Sequence, residues 1–247
     1  MINKKAQLIV ALDVGSLEEA KGLIDTLSSV VDIFKVGSQL FTACGPTAVR
    51  FVQTRGKKVF LDLKYHDIPN TVANAVKEAV GLNIENNSAS SSGIEMMTLH
   101  TVGGQEMLIG AKEAVAKEAQ DLNVQRPLLI GITVLTSQKK DDSIQSLVLE
   151  RAKLAKDAGL DGVVASVQEA PLIRRTCGQD FIIVTPGIRP AGSSKDDQER
   201  VATPRKAIEN GSNFLVVGRP ITQSKTPLES AKQILEEMEK AYLTKKD

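Results

Sequence analysis

Short apolar runs rich in β-branched residues recur at Gln7 to Asp13, Asp32 to Gly37, Lys58 to Lys64, Glu95 to His100, Pro127 to Leu135, Gly162 to Ser166, Phe181 to Thr185 and Phe214 to Gly218. Such short, nearly continuous apolar stretches fit strands buried on both faces, as in a parallel sheet. Between them lie longer segments with apolar residues three and four apart, such as Leu17, Ala20, Leu23, Ile24 and Leu27, the spacing of amphipathic helices. Helix starts are marked by Ser16 with Glu19 in capping-box spacing, by Pro69 in a first turn, and by Asp142 ahead of Gln145. Strand then helix, eight times over in 247 residues, predicts an α/β protein folded as a (β/α)8 TIM barrel, with residues 1–247 as a single domain. The competing architecture is a doubly wound open sheet. It lacks its usual signal, because ALDVGS stands after the first strand where a glycine-rich dinucleotide fingerprint would be.

Composition narrows the class. Hydrophobic residues make up 42% and charged residues 25%, near the averages for a globular protein. Lys plus Arg number 31 against 30 for Asp plus Glu, so no cationic excess marks a nucleic-acid or acidic-membrane partner, and any anion site must be local. No stretch approaches the roughly 20 apolar residues of a membrane span, and the short apolar run in MINKKAQLIVALD meets Asp13, unlike a signal peptide. Cys44 and Cys177 are too few for a disulfide framework, which fits a reduced cytoplasmic setting. With only His66 and His100, a His/Cys metal site is not expected, and the chemistry must rest on Lys, Asp and Arg. The Asn/Ser-rich segment NIENNSASSSG, Asn83 to Gly93, precedes the fourth strand at the end of a barrel away from catalysis and reads as a surface loop.

Barrel sites are built at the C-terminal ends of the strands, where Asp13, Lys35, Asp62, Lys64, His100, Thr136, Arg189 and Arg219 fall. Charged groups closing apolar strands are costly unless paired or set in a shared cleft. Asp62 and Lys64, two apart in one strand, are expected on one face, with Leu61 and Leu63 on the other. Lys35 can approach from the neighbouring strand, and Asp67 can extend the set to an alternating tetrad. A lysine flanked by carboxylates is favoured as the ammonium, a fixed proton donor. Taken singly, each residue has a plain structural reading. A strand-end Lys or Asp is commonly a solvated rim charge, Asp67 can cap the helix near Pro69, and His66 and His100 can be hydrogen-bonded packing residues.

A second group suits an anion. TPGIRP with Arg189 follows the seventh strand, and VGRP with Gly218 and Arg219 follows the eighth. Barrels often hold phosphate on these two loops and a short extra helix, which Pro220 can start, while arginine offers a forked donor. The alternative is a turn with an exposed arginine. The stretch AGSSKDDQERVATP resembles a loop able to close over a ligand, with Gln198 as a contact. In LTSQ the hydroxyls of Thr136 and Ser137 either read the polar edge of a base or cap a turn.

Together LDLKYHDIPNTV, ALD, FKVG, LTS, TPGIRP, DDQERVATP and VVGRPI resemble the bacterial orotidine 5′-phosphate decarboxylases, in order from residue 8 to about residue 235. D-x-K-x-x-D, here Asp62, Lys64 and Asp67, is shared with metal-dependent 3-keto-gulonate-phosphate decarboxylases and with hexulose-phosphate synthases. The resemblance implies a cofactor-independent carbon–carbon lyase of pyrimidine biosynthesis, without a metal, converting orotidine 5′-monophosphate to uridine 5′-monophosphate. Lys64 is then the donor to C6, within a network of Lys35, Asp62 and Asp67. Asp13 and Lys35 contact the ribose, Thr136 the base, and Gln198, Gly218, Arg219 and Arg189 the phosphate. Asp67, Ile68 and Thr71 reach a neighbouring subunit's site, implying a homodimer with shared active sites. A barrel retained as a phosphoribosyl-ligand sensor is the non-enzymatic alternative.

Overall fold

The computed structural model describes residues 5–83, 93–135, 142–190 and 202–243. The chain runs β1 (Gln7–Ala11), α1 (Leu17–Leu27), β2 (Ile33–Gly37), α2 (Ser38–Cys44), α3 (Pro46–Thr54), β3 (Lys58–Tyr65), α4 (Pro69–Gly81), β4 (Ile94–His100) and α5 (Gly104–Asp121). It continues through β5 (Leu128–Ile132), α6 (Asp142–Asp157), β6 (Gly162–Val164), α7 (Ala170–Cys177), β7 (Ile182–Thr185), α8 (Pro204–Glu209), β8 (Phe214–Val217), α9 (Arg219–Thr222) and α10 (Pro227–Leu243). All eight strands are parallel and pair in sequence order, and β8 closes on β1, so the sheet is a complete barrel.

All eight expected strands form, with ends moved by a few residues. The connections are less regular: β2 and β3 are joined by two helices, because Gly45 and Pro46 break the helical run between them. The expected starts of α1 and α4 hold, with Ser16 accepting the Glu19 N–H at 3.2 Å and Pro69 in the first turn of α4. Asp67 does not cap α4; its carboxylate accepts the Ile68 N–H at 2.6 Å, and Ile68 occupies the cap position. Among the described residues, no helix is long and apolar enough to cross a membrane.

Two apolar layers follow from strand alternation. Ile9, Ile33, Phe60, Met96, Ile130, Val184 and Phe214 point into the barrel, while Val10, Phe34, Leu61, Met97, Leu129 and Ile183 face the helices. Each such fully buried side chain contributes on the order of 1.5–3 kcal/mol. The N-terminal end of the barrel is laced by structural arginines. Arg174 donates to the carbonyls of Gly211 at 2.7 Å and Gln179 at 2.9 Å and to that of Phe181, and Arg126 pairs with Asp161 at 2.6 Å. Lys57 and Asp32, paired at 2.9 Å ahead of β3 and β2, also stand at this end.

At Gly162 a Cβ would lie 2.2 Å from the Ile182 carbonyl oxygen, so β6 and β7 pack as closely as they do because this residue has no side chain. Gly162→Ala is expected to cost about 1–3 kcal/mol of stability through backbone displacement, read as a lower midpoint in chemical denaturation.

Candidate functional site

The C-terminal ends of the strands open into a cleft of 440 Å³, within the size range of small-molecule sites. Its floor is the top of the barrel interior, made by Ala11, Phe60, Ile132, Val164, Val184 and Val216. Charged residues stand on its walls: Asp13 and Lys35 after β1 and on β2, Asp62 and Lys64 on β3, and Arg189 and Arg219 beyond β7 and β8.

The first four form a chain of alternating sign. Lys35 Nζ lies 2.8 Å from Asp13 Oδ1 and 3.5 Å from Asp62 Oδ2, and Lys64 Nζ donates to both Asp62 oxygens at 2.9 Å. Asp62 and Lys35 are buried, whereas the Lys64 side chain keeps 34% of its surface accessible on the cleft side. Burial pushes the Asp62 carboxyl towards protonation, but the charges of Lys35 and Lys64 and the hydrogen bonds from Lys64 and Thr98 outweigh it. They hold the group below the ordinary carboxylate value. Gly37, at the end of β2, leaves room for this arrangement, since a Cβ there would stand 2.9 Å from Lys35 Nζ and 3.3 Å from Asp13 Oδ1.

Simple strand alternation does not account for Lys64. Between β3 and β4 the register shifts: the step from Leu61 to Tyr65 faces only the step from Met97 to Leu99. Lys64 takes up the extra length with φ at +53°, a left-handed conformation costly for a residue with a Cβ. The bulge turns the lysine back over Asp62 instead of continuing the pleat.

The arginine end is built from turns. Gly187, with φ at +77°, lets the chain leave β7 sharply, and Arg189 follows it, buried. Arg189 N–H donates to the Ala202 carbonyl at 3.0 Å, which ties the two sides of the β7–α8 connection. On the other side, Gly218 precedes α9, with Arg219 and Pro220 in its first turn, as the sequence predicts.

Asp13, Lys35, Asp62, Lys64, Arg189, Gly218 and Arg219 therefore meet in one cleft. Asp67, Ile68 and Thr71 do not: they lie exposed on the rim, Ile68 at 66%, outside the lining of their own barrel's cleft. Thr136 and Gln198 fall outside the described residues. His100 stands beside His66, ring centres 5.7 Å apart, and does not line the cleft; burial, then the neighbouring charges of His66, Lys64 and Arg151, favour its neutral form. Asp13, expected only at the ribose, is also the outer member of the charge chain. Gln39 and Gln223 line the walls without any sequence signal, being isolated polar residues on or beside short helices. Among the described residues, no three His, Cys, Asp or Glu side chains gather where they could hold a metal ion.

Comparison with known proteins agrees with this geometry. Residues 6–234 match the model of the orotidine 5′-phosphate decarboxylase / HUMPS family. The chain is 47% identical over 246 residues to orotidine 5′-phosphate decarboxylase of Syntrophotalea carbinolica, covering 96% of this chain and 97% of that one. It is 46% identical to the Moorella thermoacetica protein of the same name, covering 96% and 94% respectively. Its fold is similar to the crystal structure of orotidine 5′-phosphate decarboxylase from Lactobacillus acidophilus, with a TM-score of 0.78 and 35% identity over 94% of this chain and 99% of that one. The chain belongs to the orotidine 5′-phosphate decarboxylase / HUMPS family.

Proposed function

We propose that the Lys64 ammonium protonates C6 of orotidine 5′-monophosphate as the C6 carboxylate departs, giving uridine 5′-monophosphate and CO2. The observation that carries this reading is the ammonium of a part-exposed Lys64, pinned by both oxygens of a buried, ionised Asp62 on the wall of a cleft whose far wall carries two arginines.

The chemistry requires such a group. The C6–CO2 bond breaks with its electron pair left on C6 in the plane of the ring, where the π system cannot delocalise it. Stabilisation must come from a charge already in place, and an oriented ammonium supplies it at no reorganisation cost. The same group then delivers the proton: an N–H bond of Lys64 breaks as C6–H forms, and solvent reprotonates the amine. Asp62 and Lys35 hold Lys64 in position, and Lys35 and Asp13 present donors and acceptors to the ribose hydroxyls. Asp13 and Asp62 are engaged by lysines, an arrangement that serves a reaction run by fixed ammonium charge without a metal or cofactor.

Arg189, Arg219 and the backbone at Gly187 and Gly218 suit the phosphate, since guanidinium forks match phosphate oxygens. Binding energy gained there is available to organise the reacting end, so affinity for a non-reacting group lowers the chemical barrier. The exposed Asp67, Ile68 and Thr71 have no role in their own cleft. Their exposure leaves them free to meet a neighbouring molecule, and the resemblance to the family implies that they reach a neighbouring subunit's site, so we assign these three to the rim of a second subunit's cleft in a homodimer.

Lys64→Ala is expected to lower turnover of orotidine 5′-monophosphate by roughly a thousandfold or more while uridine 5′-monophosphate still binds by calorimetry; near-normal turnover removes the proton-donor role. Arg219→Ala should weaken uridine 5′-monophosphate by about 10- to 100-fold but leave uridine nearly unaffected, as judged by competition in the decarboxylation assay. Inactive Lys64→Ala and Asp67→Ala proteins, mixed and allowed to exchange, should recover activity, because a hybrid dimer holds one intact site. Absence of recovery despite demonstrated exchange contradicts the shared-site assignment.

A further inference from the structure

We infer that Thr98, on β4, is a positioning residue for decarboxylation: its hydroxyl clamps the carboxylate of Asp62 to the backbone of Lys64 and so sets where the reacting ammonium stands. The residue is fully buried. Its hydroxyl lies 3.0 Å from Asp62 Oδ1 and 2.9 Å from the Lys64 backbone nitrogen. A hydroxyl has one proton to give, and an ionised carboxylate only accepts. The direction of both bonds is therefore determined: Thr98 donates to Asp62 and accepts from the Lys64 N–H.

The bulge explains why the clamp is needed. Where Leu61 to Tyr65 outruns Met97 to Leu99, regular pairing between β3 and β4 is interrupted, and Lys64 sits at φ +53°. Its amide hydrogen bond is supplied by the Thr98 hydroxyl, which supports the left-handed turn that folds the side chain back over Asp62. One group thus holds both the backbone and the counter-ion of the proposed proton donor. Valine has nearly the same shape and β-branching but leaves the Lys64 N–H without this partner and Asp62 with one donor fewer.

This inference rests on the assignment of Lys64 as proton donor, and wild-type turnover of orotidine 5′-monophosphate together with Lys64→Ala tests that assignment separately. The deciding experiment compares Thr98→Ser, Thr98→Val and Thr98→Ala by steady-state kinetics and thermal melting. If the hydroxyl positions the site, activity follows the oxygen. Serine keeps kcat within about threefold of wild type, whereas valine and alanine lose about 10- to 100-fold in kcat with KM little changed.

The acid limb of the kcat profile should also move to higher pH in the valine protein. Asp62, faced by Lys35, Lys64 and the more distant His100, with Asp13 beyond Lys35, loses a bond that favours its ionised form. If Thr98 only fills space, activity follows volume instead: valine stays near wild type, serine falls, and the proposal is overturned. Should the valine protein not fold, serine against alanine decides, since the two differ by the hydroxyl alone; equal kcat in that pair also overturns the proposal.

Discussion

A carboxylate taken out of water at the top of a hydrophobic barrel is the constraint on which the site depends. Asp62 is buried, and an uncompensated charge there would cost several kcal/mol. It remains ionised because Lys35, Lys64 and the Thr98 hydroxyl all meet it. The constraint also acts on its partners. Lys64 has to stay folded over Asp62 even though this requires a backbone conformation that a residue with a Cβ seldom adopts. The acidic group that holds the ammonium in place thereby orients it towards the cleft. Electrostatic pairing and the preorganisation that the proposed proton transfer needs are one structural feature here.

The two ends of the barrel divide their work. At the N-terminal end, Arg174 and Arg126 bind carbonyls and a carboxylate between loops, interactions that stabilise and stand outside the lining of the cleft. At the C-terminal end the charged groups, from buried Lys35 and Asp62 to exposed Asp13, instead surround open volume. Closure of β8 onto β1 matters as much as any single residue. It brings the loop carrying Gly218 and Arg219 beside the one carrying Asp13, so that a Cβ on Gly218 would lie only 3.9 Å from Asp13 Oδ2. The proposed phosphate end, with Arg189 and Arg219, and the proposed reacting end, with Lys64, thus share one small cleft.

Much of this was legible in the order of residues. Hydrophobic periodicity is a local property, and each parallel strand buried on both faces writes a continuous apolar run whatever lies elsewhere, so all eight strands could be placed. The charged residues ending those runs stood out for the same reason, since Asp13, Lys35, Asp62 and Lys64 interrupt apolar stretches at a cost that demands a partner. Thr98 was not legible. A β-branched residue inside MMTLH satisfies strand preference by its shape, and its hydroxyl gains meaning only opposite the bulge in β3. Nor was the break between α2 and α3, where the strand–helix repeat gains an additional element.

By itself, then, the sequence determined the class of fold, the end of the barrel where chemistry collects and most of the charged residues that form the site. Only the tertiary structure decided who meets whom. It made Asp13 the outer member of the charge chain, left Asp67, Ile68 and Thr71 on the exposed rim, and set Thr98 between a carboxylate and an amide. The physical reason is that pairing distances depend on barrel closure and on a register shift between two strands, both of which involve residues far apart in the chain. Alternation within one strand carries no record of either.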